Sequence, residues 1–334
     1  MKSLSQNPIF VVGFPRSGTT LLQSVLATQT NLFSFPETHF FTSTIRLIKT
    51  GKSGFVLPGC LGSVISDMRL HTGHTLATQT IEKLNSQAKA DTLSVKCIFE
   101  TLVIELLNKQ QGEEDLASIR WIEKTPGHIK HLETIQSFYP EAKFIEIIRN
   151  PLNAIYSFRE KLPDSKLHTL PALAHQWKNS RELFKKYSAA NPDRAYSTRY
   201  EDLLTKTNSS LAGMSDFLNI HIDVNKLNKL PLVARNIVLD QETWKTQNIE
   251  QGISEDIVDY QWKIGQRLQL GYLLQDDLRE NEYQKRLNLL QYSYNICLES
   301  LNRLSRSIIL APFKKTVRTI LEKTGLWPYS GSES

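Results

Sequence analysis

Cysteine is scarce: Cys60, Cys97 and Cys297 are the three in 334 residues, and they stand far apart. Their spacing supplies neither a metal-ligand set nor a disulfide framework, which favours a reducing compartment and a core without staples. Each reads as a small buried apolar residue. Long apolar runs are also missing. No stretch reaches the roughly 20 residues that a membrane-crossing helix needs, and residues 1–8 hold no apolar signal core. The expected location is therefore the cytoplasm. Basic runs interleaved with aromatics are absent, so a nucleic-acid groove is not supported. No internal repeat and no low-complexity linker divides the chain.

What is present suits an α/β protein. Hydrophobic residues make up 40% of the sequence, ample for a core, and the formal charge of +6 suits an anionic ligand. Strand-like and helical patterns alternate from residue 9 to about residue 200. Short β-rich runs lie at 9–12, 143–148 and 194–200, and residues 120–126 read as a strand running into a turn. Helical patterns fall at 20–28, 76–88, 91–109, 129–138 and 171–189, with another opened by Asn150 as cap and Pro151 at its first position. Residues 33–41 read as a short extended segment turning helical near Phe40, and 50–75 as loops and short helices. This alternation predicts a three-layer sandwich, a central parallel sheet with helices on both faces. The chain is mostly helical after about residue 208. A main domain over 1–278 and a helical C-terminal extension over 279–334 are expected.

The stretch from Ile9 to Leu22 organises the rest. A buried β-branched run, 9–12, leads into a loop with Gly13 and Gly18 at its ends, and then into a helix. The free N–H groups of a first helical turn, with the helix dipole behind them, form an anion cradle. The loop is close to the Walker A pattern G-x-x-x-x-G-K-[ST], but Thr19 stands at the Lys position and the cation has moved to Arg16. Arg16, Ser17, Gly18, Thr19 and Thr20 should still bind phosphate, without tuning for a magnesium-bridged triphosphate. A second phosphate position is expected at Arg149, which closes a strand, and Ser157, about two turns into the following helix. Ligands of open parallel sheets lie beyond the carboxyl ends of the strands, where an Arg and a hydroxyl grip one phosphate from two sides.

On residues 15–20 and on Arg149 with Ser157, the sequence resembles the sulfotransferases that use 3′-phosphoadenosine 5′-phosphosulfate (PAPS). It is most similar to the branch of bacterial and tyrosylprotein enzymes, where Arg sits in the loop. The resemblance runs over about residues 8–275, with specific motifs at four or five places. It implies that the loop holds the 5′-phosphosulfate and that Arg149 and Ser157 hold the 3′-phosphate. It further implies that Tyr200, in Tyr200-Glu201-Asp202-Leu203, lies near the adenine; a core tyrosine is the equal alternative. Glu37, in Pro36-Glu37-Thr38, falls where that branch carries the base that deprotonates the acceptor hydroxyl, provided desolvation raises its pKa. His39 is its local rival. Lys124 matches the strand-end lysine that neutralises charge on the sulfuryl group and leaving phosphate. The cytosolic branch has a catalytic His where this chain has Pro126, and His128 is displaced from that place. Lys245, after Trp244, resembles the late basic segment that closes over the 3′-phosphate.

The expectation is sulfuryl transfer from PAPS to a hydroxyl, or less readily an amine, with adenosine 3′,5′-bisphosphate released and no metal implied. Glu37, Lys124 and Arg16 would carry the chemistry. Two alternatives stand beside it: a P-loop nucleotide kinase or phosphotransferase, against which Thr19 argues, and a non-catalytic nucleotide-binding protein on the same fold. The acceptor could be a phenol or tyrosyl group, a sugar or a secondary metabolite. The tail, 301–323, sets Arg303, Arg306, Lys314, Lys315, Arg318 and Lys323 beside an apolar face. Packing on the chain's own core is favoured over peripheral membrane contact or a neighbouring subunit in a homo-oligomer.

Overall fold

The structure is a computed structural model that describes residues 4–111, 116, 119–161, 169–245, 249, 264–274 and 277. The C-terminal extension, the basic tail and Cys297 lie outside the described residues. The chain divides into two compact units, Met1–Arg149 with Ser180–Ile257, and Asn150–Asn179 with Val258–Ser334.

The first unit is built on five parallel strands: β1 (Ile9–Val12), β2 (Leu32–Ser34), β3 (Arg120–Lys124), β4 (Lys143–Ile148) and β5 (Ala195–Arg199). They lie in the order β2-β3-β1-β4-β5, so β1 is central. Strands covered on both faces need apolar residues at every position. β1 meets this condition, since all four of its residues are fully buried. Each contributes on the order of 1.5–3 kcal/mol through burial. The period of two splits them: Phe10 and Val12 enter one core, with Trp121, Phe41, Phe99 and Phe144. Ile9 and Val11 enter the other, with Leu22, Val25, Ile122 and Ile145. The expected arrangement, a parallel sheet between two helical layers, is what the chain forms.

The helices are α1 (Thr19–Ala27), α2 (Leu61–Thr72), α3 (Thr78–Lys89), α4 (Val95–Gln111), α5 (Leu132–Phe138), α6 (Pro151–Lys161), α7 (Leu170–Ala190), α8 (Tyr200–Thr205), α9 (Thr207–Leu218), α10 (Leu230–Asn236) and α11 (Ile264–Leu273). In the second unit, the Asn150 side chain accepts the Leu152 N–H at 2.9 Å, capping α6 as expected. Two segments differ from the sequence expectation. No helix starts at Phe40: His39 takes a left-handed φ of 50°, and turns lead to a 3₁₀ segment at Thr44–Leu47. Within 50–75, expected as loops and short helices, residues 61–72 form one three-turn helix, because Leu61, Val64, Met68 and Thr72 make a buried stripe at helical spacing, closed by Gly73 at φ 65°.

The chain leaves β1 toward β2 and leaves β4 toward β5, on opposite sides of the sheet, so the ends of β1 and β4 flank a topological switch point. The loop after β1 needs its glycines. A Cβ on Gly13 would lie 2.7 Å from the Ile147 carbonyl oxygen of β4, and one on Gly18, at φ 97°, would lie 2.4 Å from the Tyr200 ring. Gly18→Ala should therefore lower stability by about 1–3 kcal/mol, from strain and overlap together, read as a shifted urea midpoint with an unchanged slope.

Candidate active site

The loop enters α1 through Gly18, and no side chain caps that helix. The first-turn N–H groups accordingly have no side-chain acceptor, as an anion cradle requires. Ser17 Oγ is sealed from solvent and has no hydrogen-bond partner. A buried hydroxyl in that state costs about 1–3 kcal/mol, and an anion's oxygen would satisfy it. Arg16 takes φ 69°, a left-handed conformation uncommon for a residue with a side chain. Its carbonyl accepts from Arg149 Nη1 at 3.1 Å. The Arg149 guanidinium also lies 4.5 Å from the Tyr200 ring centroid. Tyr200 thus braces the loop at Gly18 and the arginine at the end of β4 with one ring. Ser157 is buried on α6 in the second unit, and its pairing with Arg149 remains a reading of the sequence.

Adjacent residues of β3 serve different faces of the sheet. Glu123 pairs in register with Phe10, and Lys124 with Val11, so their side chains leave on opposite sides. Lys124 Nζ donates to Thr20 Oγ1 of α1 at 3.3 Å and to Glu37 Oε1 in a short contact. Lys245 Nζ also reaches Glu37 Oε1, at 2.8 Å, and Glu242 Oε1 at 2.6 Å. The other oxygen of Glu37, Oε2, faces His39 Nε2 at 3.0 Å. The residues named from the sequence at 16–20, 37, 124, 149, 200 and 245 all belong to the first unit.

Two results depart from the expectations. The resemblance implied that Lys245 covers a 3′-phosphate, whereas its ammonium lies on Glu37. Desolvation does push the Glu37 carboxyl up, but Lys124, the His39 hydrogen bond and Lys245 outweigh it and hold the group well below the ordinary carboxylate value. Burial draws the Lys124 ammonium down; Glu37 opposes that shift, and the neighbouring Lys245 cation reinforces it.

Sequence reasoning missed a buried group beside these residues. Glu123 Oε1 accepts from Thr38 Oγ1 at 2.8 Å, Thr125 Oγ1 at 2.7 Å and the Thr38 N–H at 3.3 Å. Its Oε2 meets His128 Nδ1 at 2.8 Å, with both side chains fully buried. His128 Nε2 accepts the Phe41 N–H at 3.3 Å, so the proton sits on Nδ1 and the imidazole donates to Glu123. The His39 N–H donates to Thr125 Oγ1 at 3.2 Å. Residues 38–41 are thereby tied to the end of β3 at several points. A carboxylate that follows the apolar pair Trp121-Ile122 in a strand, with Thr two and His five positions later, was the available signal. Among the described residues, no group of three or more His, Cys, Asp or Glu is placed to hold a metal, and no helix is long and apolar enough to cross a membrane.

A sequence model described as "Sulfotransferase family" matches residues 8–223. A Caenorhabditis briggsae protein provisionally named protein-tyrosine sulfotransferase is 23% identical over 257 residues, 76% of this chain and 80% of that protein. Among solved structures, the sulfotransferase domain from the curacin biosynthetic pathway is 21% identical, with a TM-score of 0.48 over 82% of this chain and 99% of that one. Mouse sulfotransferase SULT7A1 complexed with PAP is 13% identical, with a TM-score of 0.45 over 87% and 90% of the two chains.

The Glu123 hub has a testable energetic consequence. Burial pushes its carboxyl up, but His128, Thr125 and Thr38 more than offset that and hold it below the ordinary value. Its contribution is therefore complete above about pH 4.3, the unfolded glutamate value, and is lost as pH falls toward the folded value. Glu123→Gln should cost about 1–3 kcal/mol at neutral pH and flatten the acid side of the stability profile, measured by urea titration at several pH values.

Proposed function

The chain belongs to the sulfotransferase family, an enzyme of sulfuryl transfer, and on that premise we propose that its donor is PAPS and its acceptor a hydroxyl. One observation carries this reading: Lys124 Nζ joins the Glu37 carboxylate to Thr20 in the first turn of the loop helix. A base candidate and a cation therefore meet at the anion cradle.

The residues fit an anionic donor. The orphaned Ser17 hydroxyl and the uncapped first turn of α1 would hold a phosphosulfate, with Arg16 in the same loop. Arg149, with Ser157, would hold the 3′-phosphate, and Tyr200 would keep that arginine in place beside the nucleoside. When bound, PAPS supplies an electrophilic sulfur and a phosphate leaving group. Lys124 and Arg16 would neutralise the charge that develops there. Glu37 takes the acceptor's proton. At rest it is a weak base, because two ammonium groups share one of its oxygens. As Lys124 and Lys245 turn to the donor's oxygens, they cease to hold Glu37 down, and burial, opposed by His39, raises it. Base strength would then appear only with the donor in place.

A phosphotransferase is not favoured, since Thr19 stands where a Walker lysine would sit. The cytoplasmic location stays part of this proposal. The acceptor class is open to a direct screen: metabolite extracts with labelled PAPS and mass detection of the sulfated product.

Two variants test the assignment. Adenosine 3′,5′-bisphosphate should bind more tightly than AMP, and Arg149→Ala should weaken the bisphosphate by about ten- to a hundredfold, as befits loss of a charge-assisted contact. Calorimetry showing equal affinity for the two nucleotides would remove the 3′-phosphate assignment. Glu37→Gln keeps the shape and removes the proton acceptor. It should cut turnover by about 10²–10⁴ while leaving bisphosphate affinity nearly intact. Full activity in that variant would show that the base is elsewhere.

A further inference from the structure

Glu37 uses its two oxygens differently. Oε1 takes both ammonium groups, whereas Oε2 faces one imidazole, His39 Nε2, at 3.0 Å. The Glu37 side chain is 11% exposed and that of His39 is 36%, so the imidazole leads outward from the carboxylate. The placement of His39 is costly. Its φ of 50° lies in the left-handed region, where a side chain adds strain of about 1–3 kcal/mol. The surroundings enforce it: the His39 N–H donates to Thr125 Oγ1 at 3.2 Å, and its carbonyl accepts from the Ser43 N–H at 2.8 Å and the Thr42 N–H at 3.1 Å. The ring rests on a second imidazole, His71 of α2, with centroids 4.5 Å apart and planes inclined at 34°.

We propose that His39 is a proton relay, receiving at Nε2 the proton that Glu37 takes from the acceptor and passing it to solvent. The inference rests on Glu37 being the base. The acceptor's O–H bond breaks as its oxygen bonds to sulfur. The sulfur's bond to the leaving phosphate breaks, and that electron pair departs with adenosine 3′,5′-bisphosphate. The acceptor's proton moves to Glu37 and then from Oε2 to Nε2 of the His39 tautomer protonated at Nδ1; the Nδ1 proton leaves for water, and exchange through water restores the tautomer whose Nε2–H donates to Glu37. One proton reaches solvent per turnover, and nothing is oxidised or reduced.

The electrostatics around the ring agree with this role. Glu37 faces it directly, Asp67 and His71 come from α2, Glu242 and Lys245 from the 3₁₀ segment Asp240–Lys245, and Lys124 stands behind Glu37. When Lys124 and Lys245 return to Glu37 as the products leave, they discourage a proton from staying on it. Burial, and then His39, push the His71 imidazole down, while Asp67, Glu37 and Glu242 oppose that shift. His71 Nε2 stands 3.6 Å from Asp67 Oδ1, which keeps the supporting ring in place.

The test follows release of adenosine 3′,5′-bisphosphate from PAPS, with 4-nitrophenol or a tyrosine peptide as acceptor, and with water as acceptor if neither is used. His39→Gln should lower kcat by about tenfold or more and leave the KM for PAPS within about twofold. Added imidazole should restore His39→Gly in proportion to its concentration, an effect that a structural role would not produce. A wild-type kcat in His39→Gln, or no imidazole response in a His39→Gly protein that melts normally, overturns the relay. Full activity of Glu37→Gln would instead overturn the base assignment, so the two failures are distinguishable.

Discussion

The buried carboxylate of Glu123 is the constraint on which the candidate site depends. A charge removed from water is tolerated only when it is paired and hydrogen-bonded. Glu123 meets that condition by drawing on Thr38, Thr125 and His128. Satisfying the charge therefore brings the segment after β2 against the end of β3. Glu37 and His39 flank Thr38, and Lys124 follows Glu123, so this demand also sets the proposed reacting groups beside one another. His128 extends the lock, because its second nitrogen accepts the Phe41 N–H.

The sheet completes the arrangement. Its alternation sends Glu123 toward the aromatic core and Lys124 toward α1, so neighbouring residues take up support and the proposed chemistry on opposite faces. Strand order sets the ends of β1 and β4 side by side. Gly13 allows the loop to approach the β4 backbone, and Gly18 leaves room for the Tyr200 ring, which in turn faces Arg149. The two expected phosphate positions are mechanically linked through this contact and through the hydrogen bond from Arg149 to the Arg16 carbonyl.

Charge balance gives the Glu37 cluster a further property. Two ammonium groups, Lys124 and Lys245, face two carboxylates, Glu37 and Glu242. In a buried setting such pairs offset desolvation only while they remain together. An incoming anion competes with Glu37 for the same lysines. Donor binding and base strength thus become one equilibrium in the proposed mechanism, with His39 as the outward path for the proton.

The sequence alone determined the parallel sheet, the anion loop and its departure from the Walker pattern, because each is written in local periodicity and in residues at short spacing. It also named Glu37, Lys124 and Arg149 through a resemblance carried by short motifs. It did not fix the bounds of α2, whose buried stripe lies among Gly, Ser and His residues, or disclose the left-handed His39, which is held by contacts from Thr125 and the following turn. The tertiary structure decided that Lys245 lies on Glu37, that Tyr200 braces Gly18 and Arg149, and that Glu37 is held down by cations rather than raised by burial. Each of these depends on residues distant in sequence meeting across the sheet, and a pKa is the balance of burial against such neighbours, which periodicity does not record.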